Sequence, residues 1–276
     1  MMMFHHHVPG PPLSSFVQLL WLYKSYEPVH TQRKERLMPD GSVALVINLR
    51  EDVVRTYDRI NLEKCHTMPG AVVCGVHTEN FVIDTEEQAD VAGVQFRPGG
   101  AFPFLGVPPG ETHNVHVPLE DLWGSFAREV RELLLGARTV AETFEILERA
   151  LLARARSGFE KHPAVAFALK EFQAAPHGKT IRSVTEKIGL SARRFADIFA
   201  NEVGLTPKLF CRVRRFQRVL RVIRGGREID WAEIALSCGY YDQAHFNHDF
   251  RAFSGINPST YLAACTPHLS HVPILE

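Results

Sequence analysis

With 276 residues, 45% of them apolar and 22% charged, and no net charge at neutral pH, the chain has the length of two domains and the composition of a soluble globular protein. That composition excludes a disordered chain. Five cysteines (Cys65, Cys74, Cys211, Cys238 and Cys265) without a close-paired motif exclude a disulfide scaffold and fit reduced thiols in the cytoplasm. The start "MMMFHHHVPGPP" lacks the basic and apolar regions of a signal peptide, and "FVQLLWLY" (16–23) is too short to span a bilayer, so no membrane partner is expected. The zero balance is an average. Residues 159–276 carry 16 Lys and Arg against 11 Asp and Glu, a basic excess that favours a polyanionic partner for that part.

In chain order, the first 118 or so residues read as strands joined by Pro and Gly turns. "SVALVINL" (42–49) and "AVVCGVHT" (71–78) are short and Val-rich, as buried strands are. "DVAGVQFRPGGAFPFLGVPPGE" (90–111) starts as a strand and breaks at Pro98-Gly99-Gly100. From Leu119 the period changes: "LEDLWGSFAREVRELLLG" (119–136) and "VAETFEILERALLARA" (140–155) place apolar residues at helical spacing. "RSGFEKHP" (156–163) marks a boundary, and the chain beyond it is helical. The expected fold class is α+β. A β-rich, barrel-like domain with C-terminal helices occupies residues 1–156, and an all-α domain occupies 157–276.

The all-α part repeats itself once. "IRSVTEKIGLSARRFADIFANEVGLTPKLF" (181–210) and "WAEIALSCGYYDQAHFNHDFRAFSGINPSTY" (231–261) share a plan: short helix, Gly, polar cap, longer helix with Phe at i and i+4, then Gly-x-(Thr/Asn)-Pro. Each has the size of a helix-turn-helix. Gly189 and Gly239 suit the tight turns, where positive φ is cheap for glycine. Ser191 and Asp242 can cap the longer helices, and Pro207 and Pro258 can open the next helices. On the second long helix Phe246, Phe250 and Phe253 share one face, while Ala244, Asn247, His248 and Arg251 lie opposite. Gln243 and Asn247 can pair with adenine edges, and Arg251 can reach phosphate. The first long helix presents Arg193, Arg194, Ala196, Asp197 and Ala200; Arg193 can read guanine. Between the units, 207–224 forms one amphipathic helix with Leu209, Val213, Phe216, Leu220 and Ile223 on one face and Arg214, Arg215, Arg218 and Arg221 on the other.

This pattern resembles the AraC/XylS family of bacterial transcription regulators over roughly residues 160–265. "MPDGSVALVINL" (38–49), "VAGVQFRPGGAFPFLGVP" (91–108) and "VPLEDLWG" (117–124) resemble a sensor-type domain found ahead of some such tandem units. The resemblance implies binding of double-stranded promoter DNA by two helices in successive major-groove segments, about 10 bp apart. It also implies RNA polymerase, a small-molecule effector and a homodimer as partners. By the family pattern the second reading position of the first head is often basic, and here it is Asp197. That carboxylate can accept from a cytosine, clamp Arg193 or repel phosphate, which leaves the second head at least an equal share of the specificity. Thr185 replaces the small apolar residue usual in the first short helix.

Other readings weigh less. His66, His77, His113 and His116 lie in or beside expected strands, which is the raw material of a cupin-like metal enzyme. Their spacing is not that of a ligand set, so no metal, cofactor or catalytic residue is assigned, and an enzyme stands only as the alternative. His5-His6-His7 reads as a tail. Arg97 is the natural anchor if the "FRPGGAFPFLG" loop lines a ligand pocket.

Overall fold

The Val-rich segments pair as their composition requires. The computed structural model describes residues 2–25, 34–86, 89–155, 158–174, 180–225, 229–266 and 270–274. Strands β1 (Met2–His7), β2 (Val17–Ser25), β3 (Lys34–Leu37), β4 (Ala44–Asn48), β5 (Val53–Tyr57) and β6 (Cys65–Pro69) come first. After them come β7 (Ala71–Cys74), β8 (Phe81–Asp84), β9 (Asp90–Phe96), β10 (His116–Pro118) and, from the far end of the chain, β11 (His271–Pro273). One antiparallel sheet has the order β1-β2-β9-β4-β7-β10 and the other β11-β3-β8-β5-β6. The β-rich domain expected is thus built from two sheets, which do not close into a single barrel among the described strands. Inside the first sheet Leu20, Ile47, Val72 and Val94 lose all contact with water, each worth about 1.5–3 kcal/mol of transfer free energy.

The chain leaves the sheets at Pro98-Gly99-Gly100, and Gly99 takes a positive φ. Helices α1 (Phe102–Leu105), α2 (Leu119–Trp123), α3 (Ser125–Gly136) and α4 (Val140–Arg154) come next. The single helix expected over 119–136 is broken in two. Gly124 adopts φ 62 and ψ −146, a conformation open to glycine and costly to other residues, and the chain restarts in a new direction. Trp123 Nε1 donates to the Phe104 carbonyl at 2.9 Å and fixes α2 against α1. Thr139 caps α4 by accepting from Glu142 N at 3.1 Å, while the Glu142 carboxylate accepts from Arg138 N.

The rest is helical: α5 (Pro163–Ala174), α6 (Ile181–Ile188), α7 (Ala192–Val203), α8 (Pro207–Ile223), α9 (Trp231–Ser237), α10 (Gln243–Ser254) and α11 (Pro258–Ala264). Pairs α6/α7 and α9/α10 are the two helix-turn-helix units, and α8 joins them. Phe172, Phe199 and Phe210 meet in the first unit; Phe216 meets Phe250 and Phe253 in the second, with ring centroids 5.2 Å apart in both pairs. Thr185 settles into its site because its hydroxyl donates to the Ile181 carbonyl at 2.8 Å.

Close contacts tie the helical part to the sheets. The 3-10 turn Pro109–Thr112 lies against α7, and Gly110 sits so close to the Ala200 carbonyl that a methyl there would come within 3.3 Å. Gln217 on α8 donates to the Pro39 carbonyl at 2.7 Å, and Asn80 N donates to the Phe253 carbonyl at 2.9 Å. Strand β11 pairs antiparallel with β3, so residues beyond the last helix complete a sheet begun some 230 residues earlier. Val272 is buried in that seam.

Candidate nucleic-acid interface and ligand cavity

Capping places both long helices as expected. Ser191 accepts from Arg194 N at 3.3 Å and Asp242 from His245 N at 2.7 Å. Gly189 and Gly239 have positive φ in the tight turns. Thr206 and Asn257 cap the next helices, with Pro207 and Pro258 in their first turns. These local hydrogen bonds satisfy the free N–H groups at each helix start, which is why short polar side chains recur there.

On α10, Phe246, Phe250 and Phe253 are buried, while Gln243, Ala244, His248 and Arg251 are exposed and Asn247 is half-buried at the edge. The helix thus presents amide, imidazole and guanidinium groups over a greasy back. On α7, Arg193, Arg194 and Asp197 are exposed, and Ala196 and Ala200 are half-buried. Arg193 and Asp197 form no ion pair with each other. The C-terminal end of α7 rests on the Pro109–Thr112 turn, so its outermost reach is the Arg193 end. His245 turns away from the polar face. Its ring packs edge-on against Tyr240, and its Nδ1 accepts from Tyr241 N at 3.4 Å.

The arginine face expected on α8 is partly turned inward, with Arg214, Arg215 and Arg218 half-buried. Arg215 donates to the Gly239 carbonyl at 3.0 Å and lies over the Tyr240 ring. Arg212 donates to Asp249 on α10 at 2.6 Å, with Arg215 3.8 Å from the same carboxylate. Arg214 is half-buried, and burial pushes its pKa down. Of the four arginines named on that face, Arg221 alone is exposed. Asp249 was missed from sequence, although a charge set among Phe246, Phe250 and Phe253 is itself a signal that a buried counter-charge faces it.

A second site lies between the two sheets: a cavity of about 470 Å³. Trp21, Tyr23, Val46 and Val72 line it from one sheet, and Leu37, Val54, Ile83 and His271 from the other. Its polar groups include Asp40, Ser42 and Gln95; Asp40 accepts from Ser42 N at 2.9 Å and from Gln95 Nε2 at 3.3 Å. Arg97, the anchor expected from sequence, does not line it. Its side chain is exposed and donates to the Ser14 carbonyl at 2.9 Å, because the strand has already left the sheet at that residue.

The histidines divide. His66 is exposed on β6. His113 faces Thr78, Nε2 to Oγ1 at 3.0 Å, so the His113-x-x-His116 spacing does not bring that pair onto one centre. His116 stands opposite Cys74 in the β7–β10 register, and cross-strand partners share a face. His77, just past the end of β7, packs at a tilt against the His116 ring, with centroids 4.9 Å apart, and against Phe81 at 4.7 Å. Burial holds both imidazoles neutral, pushing His77 down to about 3 (the neighbouring histidines add to this) and His116 down to about 4. It pushes the Cys74 thiol up, as does the charge of Asp40.

Family comparison agrees with this architecture. Residues 184–264 match the model of a helix-turn-helix domain, and residues 5–118 match a domain of unknown function, DUF6597. No curated protein matches the sequence. Solved structures similar to the chain include ToxT from Vibrio cholerae with an unsaturated fatty acid bound, at 11% identity and a TM-score of 0.44 over 97% of this chain and 96% of that one. Another is ToxT bound to (E)-4-(8-methylnaphthalen-1-yl)but-3-enoic acid, at 10% identity and a TM-score of 0.43 over 95% and 98%. No described helix is long and apolar enough to cross a membrane. The chain thus carries a DUF6597 domain ahead of an AraC-type helix-turn-helix domain, which supports a DNA-binding transcription regulator.

Proposed function

We propose that the chain reads promoter DNA with two heads, α7 and α10 entering successive major-groove segments, and that residues 1–156 hold a small-molecule effector between the two sheets. The observation that carries this is the repeated division of the two helices. Each buries its phenylalanines and leaves polar side chains facing water: Arg193, Arg194 and Asp197 on α7; Gln243, His248 and Arg251 on α10, with Asn247 at the edge. The second head supplies at least an equal share of the base reading. Gln243 and Asn247 suit adenine, and Arg251 suits a phosphate. The first head contributes Arg193, with Asp197 free to accept from a cytosine amino group.

The cavity supports an effector role through what encloses it. Met38, Pro39 and Asp40 line it, and the Pro39 carbonyl is held by Gln217 of the helix that joins the heads. Ser270 and His271 line it too, at the end of the chain. An occupant would touch segments tied to the DNA-binding helices on both sides. It shifts DNA affinity to the extent that it binds one arrangement of those segments better than another.

The test is selection of bound fragments from sheared genomic DNA at near-physiological salt, and then footprinting. A protected site of roughly 20 bp with two elements about one helical turn apart supports two-head reading. Protection of a single element, unchanged when α7 is altered at Arg193, would show that one head works alone.

A further inference from the structure

Going beyond DNA binding, we propose that Cys74, His77 and His116 form a three-ligand site for a zinc-class transition-metal ion, with the fourth coordination position open to the cavity between the sheets. One ligand atom from each residue can be chosen so that all three lie within 4.8 Å of one another. In a tetrahedral zinc site with one sulfur and two nitrogen ligands the donors stand about 3.3–3.6 Å apart, so small side-chain rotations close the set on an ion. The backbone has already done the harder part. The β7–β10 register puts Cys74 and His116 directly opposite each other, and His77 turns back onto them at the end of β7.

A second observation points to a ligand. His77 is only 7% exposed, yet its Nε2 has no hydrogen-bond partner. A buried polar atom left without a partner carries a free-energy penalty that proteins rarely retain without a reason, and a bound ion would remove it. The thiol must give up its proton. One Cys74 S–H bond breaks, one metal–sulfur bond forms, and the proton goes to solvent, with no change in oxidation state. A thiolate and two imidazoles are soft and borderline donors, which select zinc-class ions over magnesium or calcium. All three ligand residues line the cavity, so an anionic or sulfur-bearing group on the occupant, or a water molecule, can complete the shell.

The experiment uses the full chain and the metal alone, without DNA, so its outcome is independent of promoter reading. Apo protein is dialysed against micromolar Zn²⁺ and bound metal is counted; Co²⁺ then serves as an optical probe. The expected result is one ion per chain and a thiolate-to-cobalt charge-transfer band in the wild-type protein. Cys74→Ser should abolish the band, and His77→Gln or His116→Gln should weaken binding by more than about tenfold. A triple His5→Ala, His6→Ala, His7→Ala variant should leave both readouts unchanged. Absence of the charge-transfer band in folded wild-type protein overturns the proposal, and that readout needs no variant to fold. So does metal that departs with the triple substitution, which would place the ion on the N-terminal histidines.

Discussion

Arg212 of the joining helix α8 donates to Asp249 of α10 at 2.6 Å, and the carboxylate is only 3% exposed while the guanidinium is 32% exposed. This pair, with Arg215 beside it, fixes how α10 sits on α8. Removing the acid strands two cations, though Arg212 can still reach water. Asp249→Ala is therefore expected to cost roughly 1–3 kcal/mol, below the range for fully buried pairs. Urea denaturation, read by helical circular dichroism, measures it. A loss under about 0.5 kcal/mol would show that the pair is surface decoration.

Base reading and phosphate contact separate by substitution. Gln243→Ala should weaken binding to the selected site by about 1–3 kcal/mol and leave random DNA unaffected. Arg251→Ala should weaken both equally and reduce the slope of log K against log salt by about one. Binding titrations on cognate and scrambled duplexes at several salt concentrations distinguish the two patterns. Equal losses for Gln243→Ala on both duplexes would remove it from the reading set.

Two glycines with left-handed backbone make a matched pair. Gly189, in the tight turn of the first head, has φ +72 and open space where a Cβ would stand. Gly204, which ends α7, has φ +87, and a Cβ there would meet Val76 Cγ2 at 2.9 Å and the Pro109 backbone at 3.2 Å. Gly189→Ala should cost only the left-handed penalty of about 1–2 kcal/mol. Gly204→Ala should cost about 1–3 kcal/mol more, because the first head must also shift off the sheet domain. Thermal melts rank the two, and equal effects would mean that the contact between α7 and the 3-10 turn yields freely.

Ending the chain at Thr266 removes β11 and Val272, which is 1% exposed. The buried side chain alone is worth about 1.5–3 kcal/mol, and the strand pairing adds to it. The truncated protein should melt lower than the full chain yet still bind DNA with an unchanged salt slope, since α7 and α10 are intact. Loss of DNA binding in a protein that remains folded would show that the terminal strand positions the heads.

What could be read from sequence and what could not divide along chain separation. Ser191, Gly204, Thr206-Pro207, Asp242 and Asn257-Pro258 act on the residues next to them, so both heads were legible with their caps. Phe195/Phe199 and Phe246/Phe250 come directly from helical periodicity. The break at Gly124 was hidden because an amphipathic pattern runs through it, and nothing in that pattern records φ. The pairing of Cys74 with His116 depends on strand register, and that of Arg212 with Asp249 on how two helices cross. The exposed arginine stripe was overread for the same reason: periodicity gives the face of a helix and not what lies against it.

The join between β3 and β11 bears on how the protein is made. Glu35 and His271, which meet at Oε2 and Nδ1 across 2.9 Å, are 236 residues apart. At about 5–20 residues per second, β3 waits roughly ten to fifty seconds on the ribosome for its neighbour. Until then it is the bare edge of the second sheet, a template for any extended chain nearby. Lys34, Glu35 and Arg36 charge that edge, which discourages a stranger from settling before the terminal strand arrives.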